Sequence, residues 1–335
     1  MKKIRIAQIG TSGNSHGNEI FNTLKSLSDI FEVIGYALPE GEREKFPDKM
    51  QVFDGCREMS VDEIINDPTI DAVTVETEEI YLTKYALSAA EHKKHIHMEK
   101  PGGADLLEFE KLISTVKKNC TVFHTGYMYR YNPAVVKLMQ DIKNGELGEI
   151  VSVEAQMNGR HSDAVRAWLK NLKGGMMFFL GCHLIDLILQ IQGKPKNIFT
   201  FNKSTGLHGI EALDNTTVIF EYDKGISFAK TCDIEKGGFN RRQLVVTGTE
   251  KTVEIRPLEL SREGYLYPKM ITELNEYSSE DWNDEGIHST SKIFDRYISM
   301  MTEFGSIING TEENPYSYDY EYELYKTVLR CCNII

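Results

Sequence analysis

The 335-residue chain has no surplus of basic charge: 38 lysines and arginines stand against 50 aspartates and glutamates, a net charge of -12 with histidine neutral. A nucleic-acid binder neutralises phosphates with lysine and arginine, so this balance excludes that class. Long apolar runs are missing too, and none reaches the roughly 18 to 20 residues of a membrane span. The basic start, Lys2-Lys3-Ile4-Arg5, passes at once into a strand-like segment, without the longer apolar stretch and cleavage site of a signal peptide. The six cysteines (Cys56, Cys120, Cys182, Cys232, Cys331 and Cys332) form no CxxC pair and no metal-ligand spacing. They read as reduced thiols, which places the protein in the cytoplasm. Internal repeats and low-complexity linkers are also absent. What remains is a globular composition, 41% hydrophobic and 26% charged, on a chain long enough for two domains.

The first third alternates short apolar runs with amphipathic stretches, the pattern of a parallel sheet with crossover helices. Strands are expected at 4–9, 31–37, 72–75, 95–98 and 121–124. Helices are expected at 19–27, 81–92, after Asp105, and in a short segment opened by the capping box Ser60-Val61-Asp62-Glu63. This doubly wound domain covers residues 1–125. In residues 126–335 a helix begins at Asn132-Pro133, and period-two segments follow at 150–157, 197–202, 216–222, 226–234 and 243–248. Those segments predict an α+β domain with an open, mainly antiparallel sheet and helices on one face. Further helices are expected at 178–191, 291–308 and 320–331.

Between the first strand and first helix lies Gly10-Thr11-Ser12-Gly13-Asn14-Ser15-His16-Gly17. Glycines there admit the close approach of a pyrophosphate, and the helix start offers N–H donors. The spacing is stretched relative to GxGxxG, and an ordinary glycine-rich turn is the alternative. The second strand ends at Ala37 with no acid at its tip for an adenosine ribose; Glu40 and Arg43 lie beyond. His97-Met98-Glu99-Lys100-Pro101 follows the fourth strand, on the edge where open α/β sheets bind ligands, although a surface lysine before a turn reads the same way. His95, His97 and Glu99 alternate on one strand face, but without a third convergent ligand they do not make a metal site. The helix at 178–191 is apolar except for His183, Asp186 and Gln190, which share one face. Buried polar groups must find partners or face a cavity. A structural His183–Asp186 network and a catalytic face are both open.

These motifs occur in an order that resembles the Gfo/Idh/MocA oxidoreductases, named for glucose-fructose oxidoreductase, inositol dehydrogenase and rhizopine catabolism. The resemblance runs from residue 3 to about 250. It is carried by the turn at Gly10, Asp71-Ala72-Val73 with Thr77, Glu99-Lys100-Pro101, Tyr129-Arg130-Tyr131-Asn132-Pro133, Gly145-Glu146-Leu147-Gly148, and Gly174-Gly175 followed by Gly181-Cys182-His183. It implies bound NAD or NADP and hydride exchange with a hydroxyl or keto carbon of a sugar, cyclitol or related polyol. It also implies a homodimer or homotetramer formed through the C-terminal sheet. The catalytic lysine maps to Lys100 and the catalytic histidine to His183, with Pro101 in a turn that is often cis.

Alcohol oxidation then casts His183 as general base, Lys100 as stabiliser of the developing alkoxide, and Asp186 as the group orienting His183. Cofactor contacts are expected at Gly10, Thr11, Ser12, Gly13, Asn14, His16, Ala37, Thr77, Glu78, Glu99, Lys100 and Arg130. Substrate contacts are expected at Lys100, Tyr127, Asn158, Arg160, His161, Trp168 and His183. Two departures stand out. Many family members carry an aspartate four residues before the histidine, where this chain has Phe179. The segment Thr77-Glu78-Glu79 replaces the family's Thr-Pro, and its acids tilt the cofactor towards NAD. Phe179 leaves open a non-catalytic cofactor or sugar sensor, and the family also includes NAD-using glycosidases.

Overall fold

The computed structural model describes residues 2–261 and 267–335. Its first strands and helices are β1 (Ile4–Ile9), α1 (Gly17–Ser26), β2 (Phe31–Ala37), α2 (Glu42–Lys45), α3 (Val61–Asn66), β3 (Ala72–Val75), α4 (Leu82–Glu91), β4 (His95–Met98), α5 (Leu106–Asn119) and β5 (Phe123–Thr125). The strands pair in parallel in the order β2-β1-β3-β4-β5. β3 is buried at every position, as a central strand covered on both faces must be. The capping box at Ser60 is present with both of its bonds. Asp105 caps α5 by accepting the Glu108 N–H, and helix starts so satisfied end where their sequence says they should. The fifth strand begins two residues later than its apolar run suggests.

The next elements are α6 (Pro133–Lys143), β6 (Ile150–Gln156), α7 (Asp163–Leu169), α8 (Cys182–Gln192), β7 (Asn197–Lys203), β8 (Asn215–Tyr222), β9 (Gly225–Cys232), β10 (Gln243–Gly248) and β11 (Thr252–Ile255). They are followed by β12 (Lys269–Met270), β13 (Glu273–Tyr277), β14 (Ile287–Thr290) and β15 (Phe294–Asp295). Eight strands form one sheet in the order β14-β13-β11-β10-β6-β9-β8-β7, antiparallel except for the parallel pair β6–β9. β7 alternates exposed and half-buried residues along its length, and α8 packs on β6 and β9. Strands β11, β13 and β14 extend the sheet beyond what period two suggests, because they are short and β14 is exposed at every position.

Two helices close the chain, α9 (Ile298–Ile308) and α10 (Tyr318–Cys331). The helix expected at 291–308 is therefore half strand and turn: residues before Tyr297 pair as β15 with β12. The chain divides into two compact units. The first comprises the residues up to Tyr127 together with Tyr297–Tyr325; the second comprises Met128–Arg296 and Lys326–Ile335. Residues 297–325 thus differ from the expectation that everything after 125 forms one domain. The reason is packing. Phe304 stacks on Phe31 at 6.4 Å, and a Cβ on Gly305 would lie 2.4 Å from Ile30 Cγ2. Tyr325 stacks on Phe109 with ring centroids 3.9 Å apart. Among the described residues no helix is long and apolar enough to cross a membrane.

Candidate active site

In the first unit, the turn after β1 is shaped by its own serines. Ser12 N–H donates to Ser15 Oγ and Ser15 N–H to Ser12 Oγ, each at 3.1 Å. Gly10 has φ +88°, and a Cβ there would meet Thr77 Cγ2 at 2.3 Å and Thr77 N at 2.7 Å. Glycine is needed at this position so that Thr77, fully buried, can pack beneath the turn. Thr11 and Ser12 are buried, whereas Gly13 is exposed and Asn14 half-buried above the start of α1. Thr11 N–H donates to Glu42 Oε2 at 3.2 Å. Burial pushes the Glu42 carboxyl up to about 9, so at neutral pH it is uncharged and sets no anion against a phosphate. The exposed Gly13 and half-buried Asn14, ahead of a helix start, fit the approach of a dinucleotide pyrophosphate. His16 does not cap α1; its Nδ1 hydrogen-bonds the Tyr297 hydroxyl at 2.8 Å.

At the end of β2, Ala37 O accepts the Gly10 N–H at 2.7 Å. Glu40 accepts from Lys84 at 2.7 Å and from Tyr85 at 2.6 Å. Arg43 donates to Glu58 at 2.6 Å, and Lys45 pairs with Glu78 at 3.1 Å. Arg43, Lys45 and Lys84 are thus each already paired with a carboxylate.

The carboxyl edge of the sheet is acidic and buried. Glu76, Glu79 and Glu99 are at most 3% exposed. Lys100 is 2% exposed, with its Nζ 3.4 Å from Glu99 Oε1. The peptide before Pro101 is cis. Burial pushes Glu79 up to about 7, opposed by the Lys100 charge. His95 Nδ1 accepts the Val122 N–H at 3.0 Å. Among the described residues no group of three or more His, Cys, Asp or Glu side chains could hold a metal ion. Tyr127, the last residue of this segment, is 2% exposed.

In the second unit, His183 lies one residue into α8, preceded by a π-helical turn, Met177–Gly181. That wider turn, which no apolar pattern announces, adds a residue to the helix ahead of His183 and shifts the register of Phe179. Phe179 packs edge-on against Trp168 at 5.0 Å, so an aromatic contact replaces the expected carboxylate. Tyr129 lies edge-on to the His183 ring at 5.0 Å. Its hydroxyl donates to Glu259 at 2.5 Å, and burial pushes its pKa well above the ordinary phenol value. Arg296 and Arg242 also contact that carboxylate, at 2.7 and 3.4 Å.

Asp186 is gripped by Arg130: Nε donates to Oδ2 at 2.9 Å and Nη2 to Oδ1 at 2.8 Å. Gln190 adds a third bond, to Oδ2, at 2.8 Å. Arg130, expected at the cofactor, is therefore a buried partner of α8, and both oxygens of Asp186 are engaged by it. Pattern reading missed this pair because its members lie 56 residues apart. Of the loop residues, Asn158 is fully buried with its carbonyl accepting from Arg242. His161 pairs with Asp233, Arg160 is exposed beside Ile234, and Trp168 is half-buried. Arg166, on α7, is fully buried and held by Asp214 at 2.7 Å.

Residues 4–127 match the oxidoreductase family with an NAD-binding Rossmann fold, and residues 135–254 match the GFO/IDH/MocA C-terminal domain. The chain is 25% identical over 229 residues to scyllo-inositol 2-dehydrogenase (NADP(+)) IolW of Bacillus subtilis, covering 67% of this chain and 62% of that protein. It is 20% identical to myo-inositol 2-dehydrogenase of Thermotoga maritima, covering 90% of this chain and 85% of that one. The chain spans about six tenths of the length of the first curated relatives it matches. A putative NADPH-dependent oxidoreductase of Desulfitobacterium hafniense superposes with a TM-score of 0.79 at 16% identity, over 99% of this chain and 95% of that one; this likeness concerns the fold. With one family's two halves matched in order along the chain, the protein belongs to the GFO/IDH/MocA oxidoreductases.

Proposed function

We propose that the protein is an NAD-dependent dehydrogenase or reductase acting on a CH–OH or keto carbon of a sugar, cyclitol or related polyol. The observation that carries this is Lys100, a nearly buried ammonium beside Glu99 at the carboxyl edge of the parallel sheet. A preorganised cation there stabilises an oxygen that gains negative charge as its carbon loses hydride. When bound, the nicotinamide supplies the hydride acceptor or donor. The backbone of Gly13 and Asn14 at the start of α1 would hold the pyrophosphate. In the second unit, His183 takes or returns the hydroxyl proton, and Tyr129 holds the edge of its ring. The Arg130–Asp186–Gln190 bonds anchor the helix one turn beyond it.

NAD is favoured over NADP because Lys84, Arg43 and Lys45 are already paired with Glu40, Glu58 and Glu78. A 2′-phosphate would have to displace one of those carboxylates. Titration of the protein with each oxidised dinucleotide, followed by absorbance at the nicotinamide band with a panel of inositols and sugars, checks both statements. The expected result is roughly tenfold tighter NAD binding, about 1.4 kcal/mol, with NADH formed on at least one polyol. Tighter NADP binding would overturn the cofactor assignment.

The packing of Phe179 on Trp168 supports a second reading, a non-catalytic sensor of dinucleotide or sugar. Tight dinucleotide binding with no turnover on any polyol would favour it. A cytoplasmic setting agrees with six free cysteines. A homodimer or homotetramer is supported by Phe199 and Phe201, 50% and 54% exposed on one face of β7. Sedimentation at the 38.2 kDa of a single chain would exclude that assembly.

A further inference from the structure

His97 on β4 and His124 on β5 are direct cross-strand neighbours, so their side chains leave the sheet on the same face. Their Nδ1 atoms are 2.7 Å apart. The ring of Phe304, on α9, lies 5.8 and 5.4 Å from the two imidazoles, and neither histidine is more than 2% exposed. Each outer nitrogen faces a carboxylate. His97 Nε2 is 3.7 Å from Glu76 Oε1, and His124 Nε2 is 3.8 Å from Glu303 Oε1, both longer than a hydrogen bond, so each end contact must close by several tenths of an ångström before a proton crosses it. Glu76 is fully buried at the end of β3, whereas the Glu303 side chain is 23% exposed on α9. Four titratable side chains therefore form a line from the carboxyl edge of the sheet to the surface of the first unit.

The contact between the two Nδ1 atoms restricts how protons can be arranged. A neutral imidazole has one N–H and one bare nitrogen. When His97 donates, its bare Nε2 needs a protonated Glu76, and His124 carries its proton on Nε2 towards an ionised Glu303. When His124 donates, the Nδ1–Nδ1 bond and the polarity of both end contacts reverse: Glu76 is ionised, and Glu303 holds the proton. The two arrangements contain the same number of protons and differ by one proton moved between the end carboxyls. Both histidines are neutral in each. Burial favours the first arrangement, holding His97 well below its ordinary value and Glu76 well above. The carboxylates of Glu99 and Glu19 add to the effect on Glu76, and Lys100 opposes it. On the neighbouring strand residue, Thr125 donates to Glu321 of α10 at 3.0 Å.

We propose that Glu76, His97, His124 and Glu303 form a proton relay between the carboxyl edge of the Rossmann sheet, beside Lys100, and solvent. The inference rests on the dehydrogenase reading, in which oxidation of a CH–OH carbon leaves one proton to be carried away. Outward transfer passes a proton from Glu76 to His97 Nε2, from His97 Nδ1 to His124 Nδ1, and from His124 Nε2 to Glu303, which yields it to water. Run backwards, the same line delivers the proton that reduction consumes. Repeated outward transfers require both rings to return to the first tautomer between turnovers. These four are positioning residues for the proton, not groups that touch substrate.

The test begins on the whole protein without ligands, labelled with 15N-histidine. A deshielded N–H proton coupled to two Nδ1 nitrogens is expected, and His124→Gln should abolish it. Its exchange with solvent should slow about tenfold or more in Glu303→Gln, a variant at a partly exposed position that leaves the core intact. Absence of the shared proton, or an unchanged exchange rate in Glu303→Gln, overturns the relay. On a polyol that turns over, Glu303→Gln should lower kcat about tenfold at constant KM, raise the solvent deuterium isotope effect, and recover in concentrated formate buffer. Slowed exchange with an unchanged kcat would remove the relay from the reaction. If no polyol turns over, the dehydrogenase reading fails, and the exchange measurement still decides whether the protons move along this line.

Discussion

Replacing Lys100 by methionine is expected to lower kcat/KM by about 10²- to 10³-fold, the usual loss for one preorganised donor at a developing oxyanion. Methionine suits the test because the side chain is 2% exposed and a flexible thioether fills similar space without charge. Dinucleotide affinity should stay within a few-fold, since the proposed phosphate turn lies after β1 and the lysine follows β4. Steady-state kinetics together with a fluorescence titration of the dinucleotide separate the two quantities. Turnover within threefold of the parent protein would remove Lys100 from the chemistry. An equal loss of binding and turnover would make it a cofactor anchor instead.

The second large effect concerns stability. Arg130 and Asp186 have side chains only 1% exposed and share two bonds. Asp186→Ala leaves a guanidinium buried without its carboxylate, which costs about 3 to 5 kcal/mol. With roughly 2 to 4 °C per kcal/mol for a unit of this size, thermal unfolding should fall by about 6 to 20 °C. The paired variant Arg130→Met with Asp186→Leu removes both charges and should recover most of that loss. Calorimetry on the three proteins checks this. A fall of less than about 2 °C for Asp186→Ala would show that Arg130 finds another partner. If the paired variant is stable yet inactive, Asp186 has a part in orienting His183 as well as in anchoring α8.

The glycine turn, the Glu99-Lys100-Pro101 edge and the caps at Ser60, Asp105 and Asn132 were legible because each is a short-range device. A cap needs one side chain and a backbone N–H three residues away; a phosphate turn needs glycine between a strand and a helix. The Arg130–Asp186 clamp, the Glu259 cluster and the His97–His124 pair were not legible. Their members come from distant segments, and nothing in the local pattern of one announces the other. The π-helical turn before His183 was hidden for a different reason. An apolar run is equally compatible with a regular helix and with one that holds an extra residue.

Sequence alone determined the two-part architecture, the parallel sheet of the first part, and the segments that carry Lys100 and His183. Periodicity and motif order record local geometry, which is largely set within a few residues. Only the tertiary structure decided that 297–325 packs with the Rossmann sheet, since that depends on Phe304 and Gly305 meeting Phe31 and Ile30. It also decided that Asp186 pairs with Arg130 and that Phe179 packs against Trp168. Such pairings follow from which buried groups come within about 3 Å of one another. At that range a charge or hydrogen-bonding group must be matched or its burial is costly.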